Sequence, residues 1–573
     1  MTLISIMNRI ISTIIVVLVS INFQFAQDRL SGKTFATRSE VIARKGMVAT
    51  NHPLASQIGV EILKKGGSAV DAAIAANAFL GFADPAMNGI GGDLFAIVWD
   101  AEEQKLFGLN ASGRSPKNLS LDHFYEEGLR RFPASGPLPV TVPGCVDGWY
   151  ELHGKFGKLS MAELLAPAIQ YAEDGVPVTE EIADIMAYLE RDLLPAYHPT
   201  KEVVWTDFPE FAKVYRSQGR FPVKGDLFKN PDLAETLRKI GEGGREAFYQ
   251  GPIAEAICQH MQSLGGFLSL EDFHSHQSEW VEPVSTSYRD VDVWELPPNS
   301  QGASVLQMLN ILEGYDLASY GFGSVEHIHL FCEAKKLAYA DLAAYYADPA
   351  FTDLPMQKLL SKSYAEERRS QIDPTRAGRF GPGLEEDQHT IYLTVADRDG
   401  NMVSLIQSNS WLFGSLVVPP GLGFCLQNRG TGFTLVEGHV NQYAPGKRPF
   451  HTIIPAFITK DGKPYVSFGL TGGGMQPQGH VQIIMNLVDF NMNLQEAGDA
   501  PRIRHEYLSG RGSHGDIRLE SGFDYETIRE LLKMGHQVSF GFERFGGYQA
   551  ILFDGLNYYG ASESRKDGQA AGY

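Results

Sequence analysis

The sequence predicts a layered α+β fold in which helices enclose a strand-rich centre, and three observations carry that prediction. Helical patterns dominate up to about residue 373, strand signals dominate from 390 to 470 and recur at 549–556, and one early helix is apolar on every side. Helices before and after a strand-rich centre fit stacked layers of the two element types. A helix apolar all round has to lie inside a large core. The chain has 573 residues, 43% hydrophobic and 20% charged, an ordinary composition for a globular enzyme.

Taken in order, Arg9 precedes an apolar run at 10–19, then a polar stretch at 20–27 that contains the small residue Ala26. This is the charged, apolar, cleavable order of a secretory signal peptide, expected over residues 1–26, and it predicts a secreted or periplasmic protein. The run is short for a membrane-spanning helix, which needs roughly 20 residues. Residues 52–65 place Leu54, Ala55, Ile58, Ile62 and Leu63 on one helical face, and Gly66-Gly67 ends the pattern. Ser68 is positioned to cap the all-apolar helix at 69–82, which stops before Pro85. GIGG at 89–92 leads into a hairpin at 94–99 and 105–109. Residues 119–373 alternate amphipathic helical patterns with proline-glycine turns. A long helix is expected at 331–345, preceded by His327 and His329.

The segment TIYLTVADRDGNMVSLIQS at 390–408 is two β-rich runs around Asp399-Gly400, a strong hairpin signal. Folding about that turn sets Thr390 opposite Ser408 or Asn409. A second hairpin is expected at 451–472 around Asp461-Gly462, bringing His451 opposite Gly472. The glycine triplet 472–474 reads either as a turn or as a source of backbone N–H groups for an oxyanion.

Composition narrows the classes. With 49 basic and 68 acidic residues scattered along the chain, the surface is acidic and unpatterned, which argues against nucleic acid and anionic membrane as partners. Cys145, Cys258, Cys332 and Cys425 form no CxxC pair and are expected as buried thiols. HExxH, GxSxG and GxxxxGK[ST] are absent, so zinc peptidase, α/β-hydrolase and P-loop readings lack their signatures. Isolated His52, His480 and His505 are expected to be packing residues, and no metal or cofactor is implied.

The ordered blocks MVATNHPLAS (47–56), GGSAVDAA (66–73), NGIGG (88–92), VPG (142–144), HTIY (389–392) with DGN (399–401), GG (472–473), APR (500–502) and DGQAAGY (567–573) resemble the gamma-glutamyltransferases, or glutathione hydrolases. That resemblance implies the N-terminal nucleophile fold, a four-layer αββα sandwich, made as one precursor. The implied cut lies between His389 and Thr390, giving a large subunit of 27–389 and a small one of 390–573. Thr390 would be the nucleophile and its freed α-amino group, which titrates at about 7.7–8, the base. Motif matching further implies Ser408 as a supporting hydroxyl, Gly472 and Gly473 as the oxyanion hole, and Arg114 as the grip on a donor carboxylate.

The substrate-facing match is incomplete. Family members carry an acidic pair where this chain reads QNRGTG at 427–432, and paired serines where it has His451-Thr452. The connection at 433–448 looks shorter than in lid-bearing members. Arg429, His451 and Thr452 are therefore expected either to read a different acyl group or to be structural. The function implied is hydrolysis of gamma-glutamyl amides, with transfer to amino acids or peptides as a second outcome. The alternatives are an acylase of the same mechanism on another N-acyl donor, as in cephalosporin-type acylases, and a binding protein that kept the fold. The partners implied are a small-molecule substrate and the chain's own two fragments.

Overall fold

The computed structural model describes residues 32–194, 205–380, 389–506, 515–541 and 545–573. The expected signal peptide lies outside the described residues. Two seven-stranded antiparallel sheets stack face to face between helical layers. The first sheet runs Gln569–Gly572, Met47–Thr50, His389–Ala396, Met402–Ser410, Asp93–Asp100, Lys105–Ala111, Glu279–Val281 from edge to edge. The second runs Val41–Ala43, Tyr558–Ser562, Tyr548–Phe553, Lys463–Leu470, Ala456–Lys460, Val291–Glu295, Val284–Tyr288.

Strand alternation sorts the side chains into these layers. Tyr392, Ala396, Phe95, Ile97 and Ile406 face the second sheet and meet Phe457 and Ile551 there. Ile391, Leu393, Val395, Leu94 and Val98 face outward onto the helices Pro53–Lys64, Ala69–Ala83 and Met161–Asp174. On the far side, Val293, Val466 and Phe468 pack against Ala303–Leu312, Val325–Tyr345 and Met475–Val488. With both faces covered, strands of the first sheet read as continuous apolar runs rather than as alternating ones.

Local chemistry explains the early elements. His52 and Ser68 cap the two opening helices, Ser68 in a reciprocal box with Asp71. The four cysteines are buried and unbridged. Three expectations need correction. The long helix starts at Val325, because the Ser324 hydroxyl accepts from the N–H of His327, so His327 and His329 lie inside it. The second hairpin pairs only from Ala456 with Phe468 to Lys460 with Lys463, with a register shift after Ile458, and His451 bridges Ser300 instead of meeting Gly472. Three strands between Glu279 and Glu295 interrupt the region expected to be helical.

Candidate active site

The first hairpin folds as expected about Asp399-Gly400, and its open end builds the site. His389 pairs with Ser410 and Ile391 with Gln407, so Ser408 and Asn409 form a bulge that together opposes the single residue Thr390. A bulge re-aims the side chain at the point where regular pairing ends. Thr390 is buried, and Gln476 Nε2 donates to its Oγ1 at 3.4 Å. Gln476 lies in the first turn of the helix Met475–Val488, and its Oε1 accepts from the N–H of Ile454.

The peptide bond ahead of Thr390 is held from the partner strand. Ser408 Oγ donates to the His389 carbonyl at 2.6 Å. That hydroxyl accepts from the Ser410 N–H at 2.8 Å and from Arg429 Nη2 at 2.9 Å. Arg429 Nη1 donates to Thr452 Oγ1 at 3.1 Å, and both residues are buried. The carbonyl of Thr452 accepts from Gln301 Nε2, which also donates to the Gly473 carbonyl at 2.9 Å. Arg429, Thr452 and Gln301, with Ser408, thus link the His389 carbonyl to the glycine pair.

Gly472 and Gly473 stand at φ 110° and 54°, in the left-handed region that suits glycine. A Cβ on Gly472 would lie 3.2 Å from the Gly546 Cα. Their carbonyls accept from the N–H groups of Met475 and Gln476, which start the helix. Among the described residues neither glycine N–H donates within the protein, which suits them to an oxyanion.

Asp93, one strand further on, is a buried acceptor that sequence reasoning missed. Its Oδ1 accepts from the N–H groups of Gly113 and Gly144 and from Gln427 Nε2, at 3.0, 3.2 and 2.9 Å. Its Oδ2 accepts from His451 Nε2 at 3.0 Å. His451 Nδ1 accepts from the N–H of Ile453, and burial pulls this histidine down to about 4, with the nearby Arg429 charge adding to the effect. The imidazole is neutral at physiological pH and bonded at both nitrogens. The only signal for Asp93 in the sequence was its place behind Gly91-Gly92 at a strand start.

Arg114 remains partly open to solvent. Its Nη2 donates to Glu279 at 2.8 Å and its Nη1 to Asp348 at 3.4 Å, with 32% of the side chain exposed. Arg448 shares Glu279 at 2.6 Å and is buried. Burial, followed by the Arg448 charge, lowers the Arg114 pKa.

One group among the described residues has metal-ligand chemistry: His329, Glu333 and His536 bring ligand atoms within 4.8 Å of one another. It is already bonded internally. His329 Nε2 donates to the Asp373 carbonyl and its Nδ1 shares a proton with His536 Nε2, both at 2.8 Å. Glu333 pairs with buried Lys336 at 2.7 Å and accepts from the Gly378 N–H. A cationic lysine on the carboxylate opposes a metal ion there, so the group reads as a structural knot.

Two antiparallel sheets between helical layers, with a central strand opening on a buried hydroxyl residue, define the N-terminal nucleophile hydrolases. Within that class the chain belongs to the family described as Gamma-glutamyltranspeptidase, whose profile matches residues 55–573. It is 39% identical over 541 residues to the glutathione hydrolase-like YwrD proenzyme of Bacillus subtilis (strain 168), covering 93% of this chain and 99% of that protein. It is 33% identical to the glutathione hydrolase proenzyme of Escherichia coli (strain K12), covering 93% of each. The crystal structure of cephalosporin acylase from Bacillus halodurans superposes with a TM-score of 0.87 at 41% identity, covering 96% of this chain and 98% of that one. The chain is an amidohydrolase of this family.

Proposed function

We propose that this protein cuts itself between His389 and Thr390 and then uses Thr390 to open gamma-glutamyl amides of the glutathione type. The observation that carries the reading is the His389 carbonyl held at 2.6 Å by Ser408 beside the Thr390 hydroxyl. In the first step Thr390 Oγ1 adds to the His389 carbonyl carbon and its proton passes to the Thr390 nitrogen. The C–N bond breaks, leaving an ester and a free α-amine. Water then hydrolyses the ester to the His389 carboxylate and the Thr390 hydroxyl. The new amine serves as base for the hydroxyl of its own residue. In turnover the same hydroxyl attacks the donor amide, the N–H groups of Gly472 and Gly473 receive the oxyanion, and Arg114 takes the donor carboxylate. Water or an amine resolves the acyl-enzyme, giving hydrolysis or transfer.

A second reading changes only the acyl group. The stretch 427–432 holds no carboxylate to meet a donor ammonium, which favours an N-acyl donor without an α-amino group. Arg429 Nη1 and Nη2, the Thr452 hydroxyl and both His451 ring nitrogens bond to protein groups, so these residues act on the donor only indirectly in either reading.

The deciding experiment is intact-mass analysis of wild type and Thr390→Ala, with glutathione and a glutaryl anilide as donors. Two fragments meeting at 389/390 in wild type only, with turnover of either donor, support the proposal. The ratio of kcat/KM on the two donors chooses between the readings. An uncut, inactive wild type overturns both.

A further inference from the structure

Arg429 has its guanidinium aimed into the self-cleavage machinery rather than toward a ligand. A hydroxyl has one proton and two lone pairs. Both lone pairs of Ser408 are engaged by groups that can only donate, Arg429 Nη2 at 2.9 Å and the Ser410 N–H at 2.8 Å. The Ser408 proton then has one acceptor left, the His389 carbonyl at 2.6 Å. Ser410 stands at φ 80°, a conformation costly for a residue with a Cβ, and this turn brings its N–H back onto Ser408. The Arg429 fork is itself fixed, with Nη1 on Thr452 Oγ1 and the whole side chain buried.

We infer that Arg429 is a positioning residue for the self-cleavage, orienting the Ser408 hydroxyl as a fixed donor to the carbonyl that is attacked. This rests on the proposed cut at Thr390. As Thr390 Oγ1 adds to the carbonyl, negative charge gathers on the His389 oxygen. A hydroxyl that accepts from a guanidinium is a stronger donor to that charge than one that does not, because bonded groups polarise one another along the chain. The Arg–Ser–carbonyl line acts before the cut. It differs from the glycine pair, which is available to a substrate oxyanion afterwards.

The test follows the first-order conversion of purified, folded precursor into two fragments. Arg429→Gln should slow it by at least ~10-fold, by analogy with the loss of an oxyanion donor. Arg429→Lys, which keeps the charge in a smaller side chain and guards against misfolding, should also slow it because one nitrogen cannot hold both Ser408 and Thr452. In a Ser408→Ala background, Arg429→Gln should add no further slowing, since the arginine acts through that hydroxyl. Millimolar guanidinium should restore cutting to Arg429→Gly but not to the Arg429→Gly, Ser408→Ala pair. Wild-type rates in the folded Arg429→Gln or Arg429→Lys protein overturn the inference. So do multiplicative effects with Ser408→Ala, or rescue that persists without Ser408. An uncut wild type would instead overturn the proposed function.

Discussion

At the scale of single residues, the site depends on groups whose geometry admits few replacements. Gly472 combines a φ of 110° with a Gly546 Cα that would sit 3.2 Å from an added Cβ. Under the proposed mechanism Gly472→Ala should displace an N–H offered to the oxyanion and lower kcat by about 10²-fold, with KM changed less; steady-state kinetics on the purified enzyme checks this. His451 makes a separate prediction about pH. Burial holds it down to about 4 in the fold, against about 6.5 in the unfolded chain. Between those values the unfolded state binds the extra proton, so stability is full above pH ~6.5 and falls as pH drops toward 4. The slope for this one group is on the order of 1 kcal/mol per pH unit. Comparing urea unfolding of the uncut Thr390→Ala protein with and without His451→Gln at pH 7 and pH 5 isolates it: the protein that keeps His451 should lose about 2 kcal/mol more over that interval. Equal losses would mean that His451 is not held neutral.

At the scale of elements, the glycines of the site are spacers between chain segments. A Cβ on Gly113 would lie 1.6 Å from the Val142 carbonyl oxygen, one on Gly144 2.1 Å from that of Ala111, and one on Gly91 2.0 Å from that of Cys425. The first two of these contacts draw together the backbone N–H groups of Gly113 and Gly144 that Asp93 collects. Gly113→Ala is expected to cost at least ~3 kcal/mol or to prevent folding, measurable as soluble yield and thermal midpoint. Such contacts also mark what the sequence could disclose. The Asp399-Gly400 hairpin, the Ser68 cap and the all-apolar helix were legible because turn chemistry and periodicity are local. That Thr390 stands opposite Ser408 or Asn409 was legible from the register of the turn; the bulge that sets it opposite both was not. Asp93, Gln301 and Gln476 were not, since their partners lie far along the chain and a lone polar residue in an apolar run carries no address. The short strands Met47–Thr50 and Gln569–Gly572 at one side of the first sheet were missed as well: four residues show too little alternation to stand out. The register of the second hairpin holds next to its Asp-Gly turn, at Lys460 with Lys463 and Thr459 with Pro464, and fails beyond the irregularity after Ile458, which the turn does not encode.

At the scale of the whole molecule, the two sides of the bond before Thr390 are interleaved. In the first sheet the strands His389–Ala396 and Met402–Ser410 lie between Met47–Thr50 and Asp93–Asp100, and Gln569–Gly572 closes the edge against Met47–Thr50. A cut at 389/390 therefore separates no layer, and the product should migrate as one particle in gel filtration. The order of events matters more than the particle. The uncut chain finds these neighbours by closing loops within one molecule, at a cost that grows slowly with loop length. After the cut the same pairing needs an encounter between two chains, each with exposed strand edges prone to aggregate. Diluted from urea, Thr390→Ala should recover its native circular dichroism in a concentration-independent way, whereas matured wild type should recover little. The matured enzyme would then be held together by kinetics: it lasts as long as its unfolding barrier and has no route back once that barrier is crossed.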